Sequence, residues 1–181
     1  EHELSNLGID VVKHLPGVGQ NLQDHLDATI LFKSKVRRSY GISPLALLKN
    51  CLQPLNYWLN KEGMFTSNIA EGGAFFKSHE GMSLPDIQLH FLPALLVDHG
   101  RTKPMGHGFT IHFCNLYPKS RGHISLKRVD GELHADIRPN YLSHEDDIKP
   151  LLAGFKWCRK ISNTSPLGDG ASEWIHGEEV Q

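Results

Sequence analysis

Cysteine is scarce. The 181 residues hold three, at positions 51, 114 and 158, with no Cys-x-x-Cys pair. A disulfide scaffold or a structural zinc site would carry more of them at closer spacing. We expect reduced, mostly buried thiols in a cytosolic-type protein, with a disulfide between two of them left open. No charge of one sign dominates either: 19 basic and 20 acidic side chains leave a net charge of -1. That balance excludes the basic stripe of a dedicated nucleic-acid binder. The longest apolar run, Leu92 to Val97, is interrupted by Pro93 and falls far short of a bilayer span. The chain opens Glu1-His2-Glu3, without an initiator Met or a basic-then-apolar leader. That start suggests an excised piece or a cleaved product. Nucleotide and nucleophile motifs are missing too, with no Gly-Lys-Ser/Thr and no Gly-x-Ser-x-Gly. Gly17-Val18-Gly19 follows a short β-like piece, Ile9 to Val12, but the third fingerprint position is Leu22. A dinucleotide cradle needs glycine there for helix packing, so we read a tight turn.

Twelve histidines invite a metal reading that their spacing rejects. His107 and His112 stand five apart across loop and strand, whereas helical zinc sites want histidines four apart around a Glu. We assign no metal ligands.

What is present is enough apolar residue, 39%, to bury a core, arranged as an α+β pattern. Ala28 to Phe32 is an apolar, β-branched run and reads as a strand. Ser43-Pro44 starts a helix, Ser as cap and Pro at the first helical position. Leu45, Leu48, Leu52, Leu55 and Leu59 recur at helical spacing, and Pro54 should kink or split that helix. The middle of the chain alternates. A strand with paired glycines covers Ala70 to Lys77, and further strands cover Asp86 to Leu92 and Phe109 to Cys114. Two more, Ile124 to Leu126 and Leu133 to Ile137, flank an Asp130-Gly131 turn. Strict alternation gives each strand one covered and one wetter face, so the sheet is antiparallel or mixed. A last helix begins after Ser143, with Glu145, Asp146 and Asp147 in its first turn. Its expected apolar face is Ile148, Leu151, Leu152, Phe155 and Cys158. Beyond Ser162 the composition is that of a loop.

Two residues stand out on chemical grounds. By alternation His90 shares a face with Gln88, opposite Ile87, Leu89 and Phe91. If that face is open to water, His90 is an ordinary strand histidine; if it lines a pocket, it can orient a small hydroxylic substrate. Glu71, beside Gly72 and Gly73, is either a solvated edge or a pocket carboxylate. Both pairs of readings stay open on pattern alone.

Four segments, in order, resemble the glucose-methanol-choline (GMC) family of flavoprotein oxidoreductases. They are Leu15-Pro16-Gly17-Val18-Gly19-Gln20-Asn21-Leu22-Gln23-Asp24-His25-Leu26; Gly63-Met64-Phe65-Thr66-Ser67-Asn68 running into Glu71-Gly72-Gly73-Ala74-Phe75; Pro85-Asp86-Ile87-Gln88-Leu89-His90-Phe91; and Ser120-Arg121-Gly122-His123-Ile124-Ser125-Leu126 followed by Pro139-Asn140-Tyr141-Leu142-Ser143. Each is weak alone; the ordered set is specific, and it looks most like choline dehydrogenases and bacterial dehydrogenases of aliphatic alcohols. The resemblance implies an enzyme that binds FAD and oxidises a primary alcohol to the aldehyde by passing hydride to the flavin. It implies an antiparallel-type substrate sheet with helices on one side. It also puts the catalytic His in a downstream His-Pro-x-Gly-Thr-type segment that this chain lacks, so no catalytic residue is assigned here.

Carried over by position, His90 matches a histidine that lines the alcohol pocket of choline-oxidising members. Phe91, Phe65 and Glu71 are further substrate-side candidates. Asn21, Asp24 and His25 lie in a segment that, in the family, crosses between the FAD and substrate domains. They are candidate flavin-side contacts, read chiefly as a cap (Asn21) and a backbone tie (Asp24).

The expected division is a junction segment, 1–26, a substrate-binding domain, 27–165, and a loop, 166–181, leading toward the missing catalytic segment. The piece alone is expected neither to bind FAD tightly nor to turn over. A cytoplasmic setting follows, with membrane association of the full-length enzyme left open. So do a small-molecule alcohol as partner, no nucleic acid, no assigned electron acceptor, and self-association through an exposed domain junction. The alternative reading is a non-catalytic α+β module of the same ancestry that binds a ligand or partner without flavin.

Overall fold

The structure is a computed structural model and describes residues 2–37, 39–97, 100–102 and 104–174. Residues 175–181, part of the expected closing loop, lie outside the described residues. The chain divides into two units, residues 27–115 with 150–181, and residues 1–26 with 116–149.

The larger unit is a five-stranded sheet carrying one packed helix. The strands are β1 (Asp27–Ser34), β2 (Gly72–Phe76), β3 (Ile87–Leu92), β4 (Gly108–Asn115) and β7 (Ala171–Trp174). Their order is β2-β3-β4-β1-β7, and every pairing is antiparallel. The α+β class and the antiparallel sheet are as the alternation required. Strand β7 lies within the stretch read as loop. Four residues are too short for a period to register, and the partner edge on β1 supplies the order.

Alternation decides the core. Ile87 and Leu89 on β3, Phe109, Ile111 and Phe113 on β4, and Ile30 and Phe32 on β1 turn to one face and are buried. Helix α4 (Ile148–Ser162) covers that face. Its buried stripe is Gly154, Cys158 and Ser162, with Leu151 and Ile161 partly buried beside them. This corrects the expected face, because Ile148, Leu152 and Phe155 are exposed. The helix is seated at its glycine: a Cβ on Gly154 would lie 2.6 Å from Cδ2 of Phe113. Hydropathy alone steers a helical wheel toward large residues and away from the small one that allows contact.

The long leucine helix is split as Pro54 requires, into α2 (Pro44–Asn50) and α3 (Gln53–Asn60). Ser43 Oγ accepts the Ala46 N–H at 3.2 Å, which makes it the cap of α2. The leucines at 45, 48, 52 and 55 are exposed.

The smaller unit holds helix α1 (His2–Asn6) and a ribbon of β5 (His123–Val129) with β6 (Glu132–Arg138). The ribbon and its Asp130-Gly131 turn match the expected hairpin. Ile9 to Val12 forms no strand: it follows α1 without a pairing partner, and α1 itself is too short to show a helical period. Gly17 to Gly19 is a turn, with the Gln20 N–H bonded to Gly17 O at 3.1 Å. Gly19 has φ +76°, and a Cβ there would meet Ile124 O at 2.2 Å. The Ile124 N–H donates back to Gly19 O at 2.7 Å. This glycine lets one backbone lie against another and cradles no phosphate.

Candidate functional site

Strand β3 sets His90 and Phe91 on opposite faces of the sheet, as a pleated strand must. Phe91 packs partly against the core, its ring centroid 5.4 Å from that of Phe109. It also lines a cavity of about 490 Å³ with Phe109, Pro93, Leu167 and Ser39. His90 belongs to the other face, paired in register with Gly73 on β2 and His112 on β4. It is half-buried. Its neighbours there are mixed: polar Gln88 on its own strand, His112 on β4, and Asp27 and Thr29 on β1, with buried Leu92, Leu31 and Cys114 on the same face. His112 donates from Nδ1 to Asp27 Oδ2 at 2.5 Å. The far end of this face is closed by the segment after β3. There Thr110 Oγ1 donates to Ala94 O at 2.8 Å and accepts the Leu96 N–H at 3.0 Å.

Glu71 sits at the entry to β2. Its Oε1 accepts two hydroxyls, Tyr40 at 2.6 Å and Ser67 at 2.5 Å. The Ser67 bond first and the Tyr40 bond second hold its carboxyl below the usual carboxylate range. The same contact pushes the Tyr40 phenol up, with partial burial adding to it. Ile69, between them, has φ +68°, a left-handed conformation uncommon for a β-branched residue. Its N–H bonds to Ser67 Oγ at 3.0 Å. Glu71 is therefore an ionised, oriented carboxylate. Tyr40 also lines a second cavity, of about 760 Å³, with Leu45, Leu48, Leu52, Met64 and His107. Phe65 lies in the 3₁₀ turn Met64–Thr66. It is exposed, with its ring centroid 6.4 Å from that of Tyr57.

Asn21, Asp24 and His25 lie in the smaller unit. Asn21 caps no helix; it contributes a left-handed backbone turn, φ +60°. Asp24 spends both oxygens locally, Oδ1 on the His25 N–H at 2.9 Å and Oδ2 on the Tyr141 hydroxyl. His25 Nε2 donates to Leu116 O at 3.2 Å. A flavin dinucleotide wants free backbone N–H groups on a glycine turn that opens a helix. The turn at Gly17 to Gly19 opens none, so these residues do not by themselves fit the group. No cluster of His, Cys, Asp and Glu among the described residues could hold a metal ion. No helix among them is long and apolar enough to cross a membrane.

Sequence reasoning picked out His90 and Glu71 and missed their neighbours. The alternation of β4 and β1 places His112 and Asp27 on faces of their own strands. Only the pairing register brings them beside His90. Tyr40 and Ser67, both in loops, meet Glu71 from 31 and four positions away, and no period links loop positions to signal it.

Residues 118–181 match the GMC oxidoreductase family. An alcohol dehydrogenase [acceptor] of Pseudomonas putida is 43% identical over 159 residues, 88% of this chain and 29% of its own length. An oxygen-dependent choline dehydrogenase of Staphylococcus saprophyticus is 36% identical over 180 residues, 99% of this chain and 31% of its own. The chain thus spans about a third of the length of the curated relatives it matches. Among solved structures, a formate oxidase of Aspergillus oryzae, from a study of FAD modification, superposes with a TM-score of 0.77. That match has 19% identity and covers 96% of this chain and 35% of the oxidase. At that identity the likeness speaks to the fold alone.

Proposed function

We propose that this chain, as a member of the GMC oxidoreductase family that residues 118–181 match, is the substrate-binding portion of an FAD-dependent alcohol oxidoreductase. The full enzyme oxidises a primary alcohol, choline or an aliphatic one, to the aldehyde. FAD, held by the remainder of the enzyme, supplies the acceptor for the hydride. This chain's residues bind and orient. The carrying observation is His90, an imidazole on a strand of the sheet, set on one face beside polar Gln88 and His112. Such a ring can hydrogen-bond the substrate hydroxyl and fix the carbon that loses hydride.

Glu71 and Phe65 are proposed to meet the rest of the substrate. A cationic head group is favoured by an ionised carboxylate and aromatic faces. An aliphatic chain needs apolar walls, such as the leucines of the larger cavity. Phe91 shapes the sheet from its core face. Asn21, Asp24 and His25 organise the segment that approaches the flavin side. The isolated chain is proposed to be inactive and to bind FAD weakly. The exposed leucines of α2 and α3 support its self-association. Three cysteine thiols, none of them in a disulfide, support a reducing, cytoplasmic setting.

The test is steady-state kinetics of His90→Gln in the full-length enzyme. Loss of a substrate-orienting hydrogen bond should lower kcat/KM roughly ten- to a hundred-fold with bound flavin unchanged. Kinetics within two-fold of wild type would remove His90 from the substrate site.

A further inference from the structure

On the His90 face, one imidazole is anchored more firmly than His90 itself. His112 stands in register between His90 on β3 and Thr29 on β1. Its side chain is 15% exposed, and its Nδ1 lies 2.5 Å from Asp27 Oδ2. A carboxylate at that end only accepts, so Nδ1 carries the hydrogen; with the ring in its neutral form, the lone pair is on Nε2. Nε2 is closed off from solvent and has no hydrogen-bond partner among the described residues. An unpaired buried acceptor costs about 1–3 kcal/mol, so the site is built for a donor. Two residues flank it. Thr29 is exposed. His90 is half-buried and lies directly opposite. Paired residues on one face have Cβ atoms roughly 5 Å apart, within reach of two rings.

We infer that Asp27 and His112 are positioning residues for His90. Asp27 fixes the His112 ring, and His112 Nε2, which no described residue meets in this structure, becomes the acceptor for one ring N–H of His90 when the His90 ring turns toward it. This row settles which nitrogen of His90 bears its hydrogen. The other nitrogen is left as an acceptor facing outward, suited to a substrate hydroxyl. The inference deepens the proposed function, because it rests on His90 as the group that meets the alcohol.

The experiment is a double-mutant cycle in the full-length enzyme, with His112→Phe, Asp27→Ala, His90→Gln and their pairs. Asp27, with 38% of its side chain exposed, offers a variant that leaves the sheet interior untouched. His112→Phe and Asp27→Ala should each lower kcat/KM roughly ten-fold or more, and neither should add to the loss already caused by His90→Gln. Asp27→Asn, whose carbonyl still accepts from Nδ1, should recover most of the activity. Thr29→Val should change nothing. Losses that multiply in the double variants, or His112→Phe within two-fold of wild type while His90→Gln is impaired, would overturn the inference. Nitrogen-15 spectra of histidine-labelled full-length enzyme provide a readout independent of turnover. His90 should show one tautomer in wild type and a mixture in His112→Phe. An unchanged His90 signal overturns the positioning role even if His90 contacts substrate. A changed signal with normal His90→Gln kinetics would instead sink the substrate reading and leave the positioning intact.

Discussion

Asp147 is the clearest case of a single residue whose chemistry follows from its partners. It is buried, and burial alone would favour its neutral form. Against that, it accepts the Lys119 N–H at 2.7 Å, the Ser120 hydroxyl at 2.5 Å and the Ser120 N–H at 2.9 Å. Those bonds prevail, and its carboxyl is held below the usual range. A depressed folded value means that its stabilisation is complete above the unfolded value and fades as pH falls through the folded one. Asp147→Asn, which turns a donor toward backbone N–H groups, should cost about 2 kcal/mol at pH 7. In full-length enzyme its melting midpoint should lie below that of wild type, with the gap steady from pH 7 to about 5 and narrowing as pH falls below about 4. A gap that stays constant there as well would contradict the assignment. At this scale the sequence was half legible. Ser120 and Asp147 belong to visible motifs, yet their contact joins positions 27 apart. His90 and Glu71 could be singled out by alternation and by flanking glycines, while the partners that orient Glu71 come from loops. Phe91 was legible as a strand residue; that it sits across the sheet from His90 follows from the same alternation that marked both.

Elements were read most easily where the chain repeats. The strands β1 to β6, the split at Pro54 and the cap at Ser43 follow from period, proline and hydroxyl chemistry. Short pieces were not legible: α1 and β7 exist through partners elsewhere in the chain. The face of α4 was misjudged because the element is seated by what it lacks. Helix propensity alone would make Gly154→Ala stabilising by about 1 kcal/mol. The geometry gives the opposite sign, since the added methyl would sit 2.6 Å from the Phe113 ring. We predict destabilisation of about 1–3 kcal/mol, read as a lower melting midpoint. Phe113→Leu in the same chain should recover part of the loss. A neutral or raised midpoint for Gly154→Ala would show that α4 does not bear on β4 as described.

For the whole molecule, fold and family were legible for one reason: the ordered motifs coincide with places where backbone meets backbone or a side chain ties a turn. Gly19 lies against β5. Asp86, buried at the start of β3, accepts the Ser78 N–H at 2.7 Å and the Ser78 hydroxyl at 2.6 Å. Such constraints tolerate few residue types, so they mark a sequence whether or not reacting groups lie beside them. The substrate was not legible, because a pocket is shaped by faces that strands and loops bring together only on folding. The central claim is that this chain forms the substrate side of a flavin-dependent alcohol oxidoreductase. Its most direct test is the anaerobic visible spectrum of the full-length enzyme, recorded beside that of the isolated chain, before and after adding choline or a medium-chain primary alcohol. The account predicts flavin absorbance in the full-length enzyme alone, bleached by one of the two alcohols. A colourless full-length product, or a flavin that neither alcohol reduces, would contradict it.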